Sequence, residues 1–274
     1  MAKFRGFWVR LALVVSLLAP VWFLAGALGT KFGLLDWRVG FGLMTFQLGP
    51  MLLLGAAAIA ALGLLLALVV PPRRGRRIAL VALLIPALGL GYAAWVRQQA
   101  STIPPIHDVS TDLVDPPGFS DAVVAAREGI AGGNALDLTT AKIPDNPRFG
   151  AMAGVSVIDA HRAAYGDIRP LVTDTPTFDA FQVALAAAEQ QPGWVIGRHD
   201  AAQGTIEATA TSFWYGFTDD ISIRVRALPD GSGTVIDVRS VSRVGLSDLG
   251  ANAARIRAYL KALNGQLGEA ATGG

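Results

Sequence analysis

The chain has 274 residues, 52% of them hydrophobic, and its charge is unevenly placed: up to Arg97, ten Lys and Arg stand against the single acid Asp36, whereas from Gln98 onward thirteen basic residues meet twenty acidic ones. A nucleic-acid binder needs its positive charge on the binding domain, where phosphates are neutralised, so the acidic second part excludes that class and the basic balance belongs to the first part. There is no cysteine, which excludes disulfides, thiolate metal sites and cysteine nucleophiles.

Leu11 to Gly29 carries no charge and is rich in Leu, Val and Ala, close to the ~20 residues a helix needs to cross the hydrocarbon core. A longer uncharged stretch runs from Val39 to Val70 and ends at Pro71 and Pro72; a third runs from Ile78 to Val96, with Tyr92 and Trp95 near its far end, where amphipathic rings favour a membrane interface. Residues 1–97 are therefore expected to form an all-α transmembrane anchor of three helices, at about 11–29, 47–70 and 78–96. The stretch Pro71–Arg77 holds four arginines, and the N-terminus holds Lys3, Arg5 and Arg10. Short loops rich in Lys and Arg stay cytoplasmic, so both basic segments predict the N-terminus inside and everything after Arg97 outside. A cleaved signal peptide ending near Ala25-Gly26-Ala27 is the competing reading of the first span. Against it, the apolar run is long for an h-region and holds Trp22 and Phe23 just before that site; the final orientation is the same either way. No charged residue lies mid-span, so a proton relay or ion pathway has no carrier.

Gln98 to Pro105 reads as a short linker, which at ~3.3 Å per residue reaches at most about 25 to 30 Å. A soluble α+β domain is expected over 106–267, and a flexible tail over 268–274. Ser120 is placed to cap a helix running to Ile130, and Gly132 to Gly154 is predicted irregular. A clearer helix follows Thr175, with Pro176 at its first position and Phe178, Phe181, Leu185 and Ala188 at helical spacing until Pro192-Gly193. Strands are predicted at Trp194–His199, at Thr205–Phe213, along the alternation of Ile221, Ile223 and Val225, and at Val235–Arg243 after the Asp230–Gly233 turn. The last helix takes Ser247 as N-cap and places Leu249, Ala253, Ile256, Leu260 and Leu263 on one face. The plan is an antiparallel four-stranded sheet flanked by helices on one face.

The run Phe217-Thr-Asp-Asp-Ile-Ser-Ile-Arg-Val-Arg226, the run from Asp237-Val-Arg-Ser-Val-Ser-Arg243 to Asn252, and the helix from Ala253 to Leu260 resemble the DUF1499 family. Ile106-His-Asp-Val-Ser-Thr-Asp112 and Tyr165-Gly-Asp-Ile-Arg-Pro-Leu171 are similar to its membrane-anchored bacterial branch. The resemblance implies the domain boundary and a place in the cell envelope, at a bacterial inner membrane with the domain periplasmic, and supplies no reaction. Many members carry a Pro-Asn-Cys-Val-Ser-Ser type segment where this chain has His107-Asp-Val-Ser-Thr111, so any thiol role is absent.

Asp219 and Asp220 start a strand, Arg239 and Arg243 lie near the end of its hairpin partner, and Asp248 and Asn252 open the last helix. Such a cluster of both charge signs at a helix N-terminus can hold an anionic headgroup or position a carboxylate for acid or base chemistry. The same residues can equally pair with one another and with turn backbone to fix the hairpin. Trp214, Tyr215 and Phe217, beside Phe213, crowd one strand end; they can line an apolar pocket, face the membrane or pack in the core. His107, His161 and His199 lack paired ligand spacing, so no metal is expected, and no cofactor motif is present. The expected function is a membrane-anchored envelope module that binds a lipid, small ligand or protein partner. The alternative is an envelope hydrolase using the Asp/Arg cluster, with Asp219 or Asp220 as base.

Overall fold

The structure, a computed structural model, describes residues 1–272, with side chains as far as Gly268; the expected tail at 268–274 falls largely outside the described side chains. The chain separates into two compact units, one of Met1–Ser101 together with Phe213–Gly216, the other of Thr102–Ser212 and Phe217 onward.

The first unit consists of α1 (Ala2–Lys31), α2 (Gly49–Val69), preceded without a break by a π-helical segment over Arg38–Leu48, and α3 (Arg76–Ala100). All three are long and apolar enough to cross a membrane, and α1 and α3 outrun their uncharged stretches because their basic ends are helical too. Their packing inverts that of a soluble bundle. Small residues meet inside, among them Ala12, Ala56, Ala60, Ala79 and Ala82, while large apolar side chains such as Leu54, Leu65, Leu84 and Leu88 point outward. This is the arrangement lipid favours, since helices in hydrocarbon associate through close backbone approach rather than through burial of large apolar groups. A Cβ on Gly63 would come within 3.2 Å of Ala12 Cβ. Arg5 is buried at the end of this seam and donates from Nη1 to the Val70 carbonyl at 2.9 Å, satisfying a carbonyl left free where α2 ends.

In the second unit the sheet is antiparallel throughout and has six strands, in the order β1 (Asp108–Ser110), β6 (Thr234–Ser242), β5 (Thr218–Ala227), β4 (Thr205–Thr211), β3 (Trp194–Asp200), with β2 (Leu171–Thr173) also pairing β6. This corrects the expectation of four strands. The two additional strands share the outer edge of β6 end to end, Val109 opposite Ser240 and Val172 opposite Val235. Three residues are too few to display an alternating pattern, so neither strand is marked in the sequence.

Alternation along the four long strands sorts the sheet into two unlike faces. One face carries Ile206, Ala208, Ile221, Ile223, Val225, Ile236 and Val238 into the core. It is covered by α6 (Thr177–Glu189) and α7 (Ala251–Thr272), which are joined where Tyr259 donates to the Ala184 carbonyl at 2.9 Å. Within α6 the buried stripe is Ala180, Phe181, Ala184, Ala187 and Ala188, and Phe178 points outward, 66% exposed; Pro176 is the cap rather than the first helical residue. The opposite face carries Glu207, Asp220, Ser222, Asp237 and Arg239, all buried. A face this polar would ordinarily meet water. Here the segment from Asp112 to Asn134, including α4 (Asp121–Glu128), lies over it: Ser222 donates to the Gly118 carbonyl at 2.7 Å, and Ser120 donates from N and Oγ to Glu207 at 2.5 and 2.6 Å. Ser120 precedes α4 as expected, but its hydroxyl serves the sheet instead of capping the helix.

Candidate functional site

Asp219 and Asp220 are successive strand residues, so their carboxylates leave on opposite faces of the sheet, and the six residues singled out in the sequence divide into two groups. On the polar face Asp220, fully buried, accepts from Arg127 Nη1 at 2.6 Å and from Arg243 Nε and Nη2 at 3.0 and 2.7 Å. Arg239 turns away to Asp108, which it grips with Nε and Nη2 at 3.0 and 2.6 Å while its guanidinium lies 5.5 Å from the Phe119 ring centroid. Asp220 and Arg243 are thus together, and Arg239 belongs to a different pair. With three guanidinium nitrogens on its two oxygens, the Asp220 carboxylate is engaged as an ion-pair partner and is poorly placed to take a proton from a substrate.

Two partners in this layer, Asp108 and Arg127, were not foreseen as such. Arg127 had a signal, because it falls in line with Val123 and Val124 on a helix turned toward the sheet, and a charge on an apolar stripe needs a buried counter-charge. Asp108 had none beyond its place next to His107. Burial lowers the pKa of His107, with the neighbouring Asp108 working in the other direction.

On the helix face Asp219 accepts from Arg255 Nη2 at 2.7 Å, and Arg255 Nη1 donates to Ser240 Oγ at 3.0 Å and to Asn252 Oδ1. Asn252 is fully buried and donates in turn to Ser242 Oγ and the His107 carbonyl, each at 3.0 Å. Asp248, not Ser247, caps α7, accepting from Gly250 N at 2.7 Å and Asn252 N at 2.9 Å; burial pushes its pKa upward. Its acceptor geometry suits the unpaired N–H groups of a helix start better than a hydroxyl one residue further away.

This second network forms one wall of a cleft of about 320 Å³, where the start of β3, the end of β4 and the first turns of α7 converge. Trp194, Gln191, Thr211, Ser212 and Arg255 line it. The Trp194 indole is stacked on Tyr259, with ring centroids 5.4 Å apart and planes at 23°, which fixes the orientation of the ring bordering the cleft. The volume sits at the small end of the range for ligand pockets, and the lining pairs one flat apolar wall with hydroxyl, amide and guanidinium groups. Because Arg255 is neutralised by Asp219, the wall offers directional hydrogen bonding with little net charge.

The aromatic residues do not gather into a common pocket. Phe213 to Gly216 belong to the first unit, where Tyr215 Oη lies 2.7 Å from Thr45 Oγ1 and its ring meets Phe41 edge-on at 5.0 Å. Phe213 and Trp214 are exposed. Phe217 lies in the second unit and closes the turn through Ser212, its N–H donating to Ser212 Oγ at 2.9 Å and its carbonyl accepting from Ser212 N at 2.8 Å.

His161, on α5 (Val157–Ala164), is buried and set edge-on against Tyr165 at 5.6 Å. Burial, reinforced by the charge of Arg257, drives its pKa down to about 4, so the imidazole is neutral at ordinary pH. Tyr165 is pushed up to about 12 by its own burial.

A family model described as "Protein of unknown function (DUF1499)" matches residues 108–263. No curated protein and no solved structure matches the chain.

Proposed function

Since the chain belongs to the DUF1499 family, whose description assigns no activity, we propose from the geometry that it is a membrane-anchored module of the cell envelope binding a small polar ligand in the cleft beside Trp194 and Arg255. The cleft is the observation that carries this reading. A ligand with one flat apolar face and a hydrogen-bonding edge, such as a sugar ring, suits a fixed indole wall facing hydroxyl, amide and paired guanidinium groups. The paired arginine disfavours a strongly anionic ligand, because no net positive charge is left to meet it. The three apolar helices support a place in a membrane, and the basic Pro71–Arg77 loop favours the side away from the cytoplasm for the second unit. The hydrolase alternative needs a carboxylate that can take up a proton, and Asp219 and Asp220 are both held by arginines, which favours the binding reading.

Native mass spectrometry of the full chain, extracted gently in detergent, tests the proposal. A retained small mass is expected in the parent chain, and it should be lost in Trp194→Ala at a temperature where circular dichroism shows the second unit of the variant still folded. Bare polypeptide mass in both, or a retained mass indifferent to Trp194→Ala, would overturn it.

A further inference from the structure

The helical part of the first unit marks its own outer boundary with charge. Lys31 ends α1, Asp36 follows in the connection, and Arg38 opens the π-helical segment. Charged side chains at span ends sit at headgroup level, long ones reaching toward water. Thr45 lies seven residues beyond Arg38 in the same π-helical segment, so it is more than one turn deeper along the helix. Within this same unit, the Phe213–Gly216 tip spans that interval. Lys31 Nζ stands 4.4 Å from the Phe213 ring centroid, at the charged level, while Tyr215 reaches Thr45 and Phe41 further in. Phe213 and Trp214 touch each other at 5.1 Å yet remain 72% and 55% exposed. The exposed apolar surface of the helices continues from there through Phe46, itself 71% exposed and 6.2 Å from Phe41.

Two bare aromatic rings, bordered by a lysine and continuous with a lipid-facing belt, match the chemistry of the headgroup and upper acyl layer, where Trp and Tyr concentrate. We infer that the Phe213–Tyr215 tip is an interfacial insertion loop whose Phe213 and Trp214 side chains lie in the lipid interface of the bilayer that the three helices cross. This inference rests on the membrane reading of those helices and is independent of the ligand cleft. Water alone would leave these rings as an unfavourable exposed patch, whereas lipid gives each an apolar environment and keeps the indole N–H within reach of headgroup oxygens.

The cysteine-free sequence allows a direct test on the full chain in phosphatidylcholine/phosphatidylglycerol vesicles, with a single nitroxide label read for accessibility to oxygen, which partitions into lipid, and to a water-soluble nickel chelate. Trp214→Cys and, independently, Phe213→Cys carry the label; Leu84→Cys reports a lipid-facing mid-span position and Ser232→Cys an exposed turn. The expected result at 213 and 214 is loss of nickel accessibility relative to 232, with oxygen accessibility rising toward that of 84. Nickel accessibility equal to that at 232, while 84 remains lipid-like, overturns the insertion loop and leaves the membrane reading standing. Low accessibility to both reagents overturns it as well, because it shows the tip covered by protein. A water-like signal at 84 removes the membrane premise and the inference with it.

Discussion

His161 and Asp220 are both fully enclosed, yet they depend on pH and charge in different ways. His161 is held neutral, its pKa driven to about 4 by burial and by Arg257. Above about pH 7.5 the ring is neutral in both folded and unfolded chains and contributes no pH dependence; as pH falls through about 6.5, the unfolded chain takes up a proton that the folded one resists. Stability of the second unit should therefore drop by about 3 kcal/mol between pH 6.5 and pH 4 through this residue alone. Paired carboxylates also titrate in acid, so the measurement is the difference between the parent chain and His161→Leu in urea unfolding across that window. The variant is expected to lose that part of the slope; an unchanged slope would show that the buried imidazole is not its source. Asp220 poses the opposite problem, since it is the shared counter-charge of Arg127 and Arg243. Asp220→Asn leaves Arg127 buried without a carboxylate, a change that costs about 3–5 kcal/mol where one partner of a buried pair is removed. A loss below 1 kcal/mol, on the scale of an exposed pair, would mean that water reaches the polar layer. In the sequence both residues were visible, but their surroundings were not: Asp108 and Arg127 are more than ninety positions from Arg239 and Asp220, and no local spacing announces a pair closed over that separation.

At the level of elements, legibility tracked length and period. The four long strands alternate clearly and form β3 to β6, whereas β1 and β2, three residues each, exist only because β6 offers them an edge. The cap of α7 went to Asp248 instead of Ser247, and Leu249 was left exposed with φ +53, because the chain turns sharply before the helix starts. The polar sheet face shows the limit most clearly. Alternation of Ile with Ser and Arg along β5 reads as a solvated face, and only the tertiary placement of residues 112–134 turns it into an interior layer. Tight turns set a further constraint. Gly204, between β3 and β4, has φ +65, and a Cβ there would stand 2.0 Å from the Val225 carbonyl oxygen. Gly204→Ala thus combines left-handed strain with a backbone clash and should destabilise the second unit by at least about 2 kcal/mol. Thermal unfolding checks this, and a neutral substitution would show that the β3–β4 turn can shift away from β5.

For the molecule as a whole, the most readable feature was the break in composition near Arg97. Ten basic residues against one acid before it, and the acidic balance after it, separate a part suited to lipid from a part suited to water. The structure gives each its own packing logic: small residues inside and large apolar ones outside in the helices, and large Ile, Val, Leu and Tyr side chains buried together with alanines in the helix-covered half of the sheet domain. The cleft beside Trp194 was not legible, because Gln191, Thr211 and Arg255 converge from three elements and none carries a motif. Sidedness is the claim on which the envelope reading depends, and single cysteines in this cysteine-free chain test it most directly. Arg74→Cys and Ser232→Cys would each be exposed to a membrane-impermeant maleimide in intact bacterial cells whose outer layer has been opened. Labelling is expected at 232 directly and at 74 only after the inner membrane is permeabilised; labelling at 74 in intact cells with protection at 232 would overturn the outward placement of the second unit.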